Sequence, residues 1–227
     1  MTPVSPRMEI LVVGTAEQAT ECRQKFGEAH SIHVVSQLDL AEAILKSIAV
    51  VFDFSGAGDP EHLKKYQAIP RTPLFLDSTL VRLADWVAHA GKLDNAVFGF
   101  CGLRTFMNRE ILEVAIQNEA DRPSLEAICL TLGTDYRIVA DQAGMVTPRV
   151  ICMIINEAYY TLEEGTATRE DIDLAMKLGT NYPWGPFEWG ERIGLENVVR
   201  VLTASGEETR DSRYQVCALL NKAAQRI

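Results

Sequence analysis

The chain has 227 residues, 47% hydrophobic and 23% charged, with a formal net charge of −9 from 31 acids and 22 bases. That composition excludes a disordered or fibrous chain and allows one large globular domain or two modest ones. No Lys/Arg run extends beyond the pair Lys64-Lys65, which argues against nucleic acid as a partner, because a surface that tracks phosphates needs concentrated positive charge.

After a Pro-containing arm, "MEILVVG" (8–14) predicts a buried β-strand stopped by Gly14. "TAEQATECRQKFG" carries helix formers and ends at Gly27, "SIHVV" predicts a second strand, "QLDLAEAILKSI" a helix and "AVVFDFSG" (49–56) a third strand. This alternation implies a parallel sheet with helical crossovers. It continues with "PEHLKKYQAI" as a helix, "TPLFLDS" (72–78) as a strand, "TLVRLADWVAHAG" as a helix and "NAVFGFCG" as a strand. "REILEVAIQ" follows as a strand, "SLEAICLTLG" as a helix and "DYRIVAD" (135–141) as a last strand.

From "GMVTPRVICMIINEAYYTLEEG" onward the apolar spacing becomes helical, and Gly165 ends the first run. "TREDIDLAMKLG" opens with Thr168 three residues before Asp171, an arrangement like a capping box. "GPFEWGERIGLENVVRVLTASG" and "SRYQVCALLNKAAQ" supply further helical segments. Cys22, Cys101, Cys129, Cys152 and Cys217 contain no CxxC pair, which suits a reducing cytosol better than disulfides or a structural zinc site. "MTPVSPRMEI" lacks the apolar core of a signal peptide, and no apolar run is long enough to cross a bilayer. The expectation is a soluble, cytoplasmic protein with no membrane partner and no metal.

The stretch "NEAYYTLEEGTATREDIDLAMKLGTNYPWGPFEWGERIGLENV" (156–198) resembles the helical domain of the 3-hydroxyacyl-CoA dehydrogenases, above all in the spacing of "EEG", "DIDLAMKLG" and "YPWGPFE". "LGTDYRIVADQAGMVTPR" (132–149) is similar to that family's last strand and interdomain entry. The resemblance implies an α/β Rossmann-like N-terminal domain with a parallel sheet over 8–143. It implies an all-helical C-terminal domain over 144–227 that forms a homodimer. It also implies NAD or NADP as cofactor, an acyl-CoA-like ligand, and a hydride moved between NAD and the 3-position of a hydroxyacyl-CoA.

The dinucleotide fingerprint G-x-G-x-x-G uses its glycines for a tight turn, for close approach to the pyrophosphate and for helix contact. The matching stretch is "GTAEQA", which places the implied cofactor positions at Gly14, Ala16 and Ala19 and keeps only the first glycine. Ala16 adds a methyl group and Glu17 adds negative charge, both opposing the attraction of the helix N-terminal amides. Tight NAD binding is not expected.

By the same resemblance Glu113, in "ILEV", takes the place of the family's paired carboxylate, and Cys101 stands where that carboxylate's catalytic histidine would be. A thiol has a reference pKa of about 8.5, a nearby carboxylate raises it, and sulfur lacks the two ring nitrogens that bridge alcohol and carboxylate. Cys101 is open to three readings: an inert core residue, a reactive thiol or a proton relay. Pro148, in "GMVTPR", replaces a substrate-positioning Asn, although proline suits a first helical turn. Ser78, in "DSTL", falls where a family hydroxyl contacts substrate, or else caps the following helix. Arg149 is expected in an ion pair or hydrogen bond, and the aromatics of "YPWGPFEW" in packing. The chain is therefore read as a divergent, catalytically impaired relative that binds an acyl-CoA or a protein partner. The alternative is an active NAD-dependent oxidoreductase with a shifted base, for which His89 is the candidate.

Overall fold

A computed structural model describes residues 6–36, 47–55, 60–90 and 93–226. The chain divides into two compact units, Met1–Met145 and Val146–Ile227. The helix expected at "QLDLAEAILKSI" lies almost wholly outside the described residues.

The first unit is an α/β Rossmann-like unit. Its strands are β1 (Glu9–Val13), β2 (Ser31–Val35), β3 (Val50–Asp53), β4 (Leu74–Asp77), β5 (Val97–Phe100), β6 (Ile111–Ile116) and β7 (Asp135–Ile138). Its helices are α1 (Ala16–Phe26), α2 (Pro60–Lys64), α3 (Leu83–Ala90) and α4 (Arg122–Leu132). The sheet order is β2-β1-β3-β4-β5-β6-β7. β1, β3, β4 and β5 read as continuous apolar runs because helices cover both sheet faces. On one face Ile10, Val12, Phe52, Phe75 and Phe98 pack against Cys22 and Phe26 of α1 and Leu125 and Ile128 of α4. On the other, Leu11, Val13, Val51 and Leu76 meet Leu63, Tyr66 and Trp86. Phe52 is the hub of the first face, stacked 4.7 Å from Phe75 and edge-on to Phe100 at 5.5 Å.

The expectation of a parallel sheet needs one correction. The five strands β2, β1, β3, β4 and β5 are parallel, but β6 pairs antiparallel with β5, and β7 is parallel to β6. The cause lies in residues 101–110, which form turns rather than a helix. Without a crossover helix the chain reverses onto the neighbouring edge. That loop is held against α1, where Glu21 accepts the Thr105 N–H at 2.8 Å and Gln24 accepts the Asn108 amide at 3.0 Å.

The second unit contains α5 (Thr147–Glu163), α6 (Arg169–Thr180), α7 (Pro186–Ile193), α8 (Leu195–Thr209) and α9 (Ala218–Ala224). α5 is central and packs against α7, α8 and α9 through Ile151, Cys152, Ile155 and Tyr159, all buried. Thr168 caps α6, accepting the Asp171 N–H at 3.2 Å, while its own hydroxyl donates to the Asp171 carboxylate. Asp173 reaches from α6 to cap α7, accepting the N–H groups of Phe187 at 2.8 Å and Glu188 at 3.2 Å. Gly185 is required there because a Cβ would collide with the Asp173 carboxylate. The spaced residues of "DIDLAMKLG" and "YPWGPFE" are thus two halves of one joint. Phe187 and Trp189 are buried beside it, as packing predicts.

Asp173→Ala should cost about 1–2 kcal/mol, the usual loss for a deleted N-cap side chain. Urea unfolding should show a lower midpoint with an unchanged slope, and an unmoved midpoint would exclude the joint.

Candidate functional site

Parallel strands running together deliver their carboxyl ends to one edge, where open α/β sheets bind ligands. At that edge Val13 pairs with Asp53, Asp53 with Leu76, and Asp77 with Phe100. The residues at or just beyond the strand ends, Gly14, Asp53, Asp77 and Cys101, therefore form a row. Each is engaged by the chain itself.

At Gly14 the expected phosphate loop is occupied by a capping box. The Gln18 side-chain oxygen accepts the Thr15 N–H at 2.8 Å, and the Thr15 hydroxyl accepts the Gln18 N–H at 3.3 Å. A Cβ on Gly14 would lie 2.5 Å from that Gln18 oxygen and 3.1 Å from the Phe54 Cβ. The glycine thus admits Gln18, a neighbour from its own chain. Ala19 is buried in the core under the loop, and Glu17 is turned outward toward Arg104 at 3.5 Å. A diphosphate here would have to displace the cap, lacks the glycine at Ala16, and meets the Glu17 carboxylate. The loop does not fit a dinucleotide as it stands.

At Asp53, which is 1% exposed, the carboxylate collects four hydrogen bonds. Ser55 donates its N–H and hydroxyl to one oxygen, both at 2.8 Å. His62 Nε2 at 2.6 Å and the Tyr66 hydroxyl at 2.8 Å donate to the other. Because a carboxylate only accepts, His62 Nε2 carries the hydrogen. Burial works to raise the Asp53 pKa, but the His62 hydrogen bond and charge, with Ser55 and Tyr66, outweigh it and hold the carboxyl below its usual range. The sequence reading passed over this cluster. Its signal was an acid closing an apolar strand, followed by His62 and Tyr66 four residues apart, a spacing that places both on one face of a helical turn.

At Asp77 the carboxylate accepts the N–H groups of Thr79 and Gly102, each at 3.0 Å, and the Thr79 hydroxyl. A Cβ on Gly102 would sit 2.5 Å from that carboxylate, so only glycine lets Asp77 reach the amide. Burial raises the Asp77 pKa against the pull of these bonds. Cys101 lies next to them, 5% exposed. Burial first, and then the charges of Asp77 and Glu113, push its thiol well above the ordinary range. The β5–β6 register pairs Gly99 with Ala115 and Phe100 with Val114, and one step further it sets Cys101 opposite Glu113. The antiparallel reversal thus brings together two residues twelve apart in sequence.

Ser78 is 1% exposed and its N–H bonds the Phe100 carbonyl at 2.9 Å, while its hydroxyl finds no partner and rests against Gly99. It is not the helix cap. Asp141 takes that part, accepting the N–H groups of Leu83 at 2.7 Å and Ala84 at 2.8 Å, because α3 starts several residues after Ser78. Pro148 belongs to the helical unit, buried in the first turn of α5 where its missing N–H costs nothing. Arg149 pairs with Glu208 at 3.6 Å and lies over the Tyr214 ring, as expected. The His89 side chain lies outside the described residues. Among the described residues no acid, cysteine or histidine cluster could hold a metal, and no helix is long and apolar enough to cross a membrane.

Residues 144–226 match the family model "3-hydroxyacyl-CoA dehydrogenase, C-terminal domain". The 3-hydroxyadipyl-CoA dehydrogenase of Escherichia coli K12 is 43% identical over 86 residues, covering 38% of this chain and 18% of that protein. The 3-hydroxybutyryl-CoA dehydrogenase of Bradyrhizobium diazoefficiens is 35% identical over 130 residues, covering 54% of this chain and 44% of that one. The matches therefore span less than half the length of these relatives. The solved (S)-3-hydroxybutyryl-CoA dehydrogenase PaaH1 of Ralstonia eutropha shares the fold over 97% of this chain and 94% of its own, with a TM-score of 0.75 at 20% identity. The class is thus a Rossmann-like unit followed by a helical unit. The helical unit matches the 3-hydroxyacyl-CoA dehydrogenase C-terminal domain over residues 144–226, and the likeness of the whole chain to the solved dehydrogenase is one of fold.

Asp53→Ala should destabilise the first unit by about 3 kcal/mol, since it leaves buried donors on His62 and Tyr66 unpaired. The Asp53 pKa is depressed on folding, so its contribution is full above the unfolded value near 3.8 and fades as pH falls through the lower folded value. Asp53→Asn should accordingly flatten the stability-versus-pH curve below about pH 4. An unchanged acid limb would contradict the assignment.

Proposed function

We propose that this protein is a divergent member of the 3-hydroxyacyl-CoA dehydrogenase family that binds an acyl-CoA-like ligand and is impaired in the dinucleotide-dependent hydride step. One observation carries the reading. At the position opposite Glu113 stands a thiol, 5% exposed, whose pKa is pushed up first by burial and then by the neighbouring Asp77 charge, which makes Cys101 a poor substitute for an imidazole. The capping box at Gly14 supports it, since two amides that would face a diphosphate are bonded to Thr15 and Gln18 side chains. Glu113, Cys101, Ser78 and Pro148 then mark the places of a former catalytic set, and Gly14, Ala16 and Ala19 the place of a former NAD loop.

A second reading, an active NAD-dependent oxidoreductase, is favoured by the comparisons, whose curated relatives are named dehydrogenases. Their alignments cover 37–57% of this chain, and the family model begins after the loop, Ser78, Cys101 and Glu113. The base expected from the sequence, His89, has its side chain outside the described residues; among the described residues His62, oriented by its hydrogen bond to Asp53, is the histidine this reading would use instead.

The helical unit leaves Val150 52%, Leu174 53% and Leu178 77% exposed. Such apolar surface on packed helices suits a homodimer, for which light scattering should report twice the 25.2 kDa chain mass.

Calorimetric titration with NAD, NADH and 3-hydroxybutyryl-CoA, followed by a nicotinamide absorbance assay, separates the readings. The expected result is heat from the CoA ester, none from either nucleotide up to ~1 mM, and no turnover. Sustained turnover that His62→Asn abolishes would establish the second reading and overturn the first.

A further inference from the structure

Helix α1 turns one polar face toward the turns of residues 101–110, which join β5 to β6. Glu17, Glu21, Gln24 and Lys25 recur at helical spacing, and each of them meets that loop. Glu17 faces Arg104 at 3.5 Å, and Glu21 accepts the Thr105 N–H at 2.8 Å and also the Met107 N–H. Gln24 accepts the Asn108 amide at 3.0 Å, and the Lys25 ammonium donates to the Arg109 carbonyl. An irregular segment is thus zipped along a helix far from it in sequence.

Thr105, at the centre of that seam, is held against its own preferences. Its φ is +75°, in the left-handed region, where a β-branched side chain crowds its own backbone. Its hydroxyl is buried and meets no hydrogen-bond partner among the described residues, whereas water would satisfy it. Strain of this kind persists only where the surroundings over-determine it. The surroundings here are the side chains of α1, and Glu21 above all. Burial raises the Glu21 pKa against the pull of the Thr105 and Met107 amides and the Arg104 charge, so the carboxylate also gives up hydration to make the contact.

The segment is fixed at both ends. The Gly102 N–H is bonded to Asp77 at 3.0 Å, and Met107 is fully buried in the core that α1 covers. Between these points Leu103 and Phe106 are buried and hold the segment down. Against that apolar gain stand a strained backbone, an unpaired hydroxyl and a desolvated carboxylate, all of them relieved by release. Cys101, the residue that enters the loop, is 5% exposed, and Glu113 is half-buried. A reagent or ligand reaches that thiol only when the chain beside it moves.

We propose that residues 103–106 form a latch with two positions: docked on α1 with Glu21 as the catch, as the structure describes, and released, which opens the way to Cys101 and Glu113. A role for the opening in admitting an acyl-CoA-like ligand rests on the function proposed above; the latch itself does not.

The test is alkylation of the full chain by N-ethylmaleimide in mildly alkaline buffer, read cysteine by cysteine by mass spectrometry. Glu21→Ala should speed labelling of Cys101 at least about tenfold, as loss of a hydrogen bond to a charged acceptor does, with Cys129 of the same unit unchanged. Thr105→Gly removes the strain from the docked position and should slow Cys101 labelling, both in the native chain and beside Glu21→Ala. Equal acceleration at Cys129 would show the whole unit unfolding. That result, an unchanged Cys101 rate in Glu21→Ala, or a Cys101 rate not slowed by Thr105→Gly would each overturn the latch. Repeating the labelling with 3-hydroxybutyryl-CoA present separates the two claims. Altered Cys101 labelling supports the ligand role, whereas labelling that answers to both substitutions and ignores the ester would keep the latch and overturn that role.

Discussion

A carboxylate taken out of water must collect hydrogen bonds from whatever lies in reach, and here Asp53 and Asp77 end neighbouring parallel strands at the edge where such sheets meet ligands. Asp77 satisfies itself with Thr79 and the Gly102 amide, and Asp53 with Ser55, His62 and Tyr66. Donors that could have faced a ligand are consumed in holding the protein's own charges. Gly102 is what permits this at Asp77, because any side chain there would meet the carboxylate. Gly14 does the same for Gln18. In both places a glycine's missing Cβ admits a polar group from the same chain.

That arrangement leaves Cys101 buried although its register sets it opposite Glu113. Its two carboxylate neighbours and its burial all disfavour the thiolate. A neutral thiol adjacent to an anchored carboxylate is compatible with the fold. The helical unit shows the contrasting case. There Asp173 and Gly185 form a structural joint between two helices, with no part in chemistry at the sheet edge.

Much of this was legible in the sequence. Apolar runs gave β1, β3, β4 and β5, because strands covered on both faces need no polar alternation, and the change of period after residue 141 revealed the helical half. The reversal of β6 was not legible, since it depends on residues 101–110 failing to form a helix, and turns leave no periodic signal. Ser78 misled as a cap because Asp141, 58 positions from Leu83, outcompetes it. The departures of Ala16 and Glu17 from the dinucleotide fingerprint could be read directly, but the capping of that loop by Gln18 required coordinates. Asp53, His62 and Tyr66 were visible as letters and invisible as a cluster, since their meeting depends on where β3 ends relative to the following helical turn.

The central claim is that the donors at the carboxyl edge are bound to the chain's own side chains. It is tested most directly by following the backbone amide resonances of Thr15, Gln18 and Gly102 while NADH is added. The account predicts that all three stay in place up to ~1 mM. Saturable shifts at Thr15 and Gln18, showing the cap displaced by a diphosphate, would contradict it.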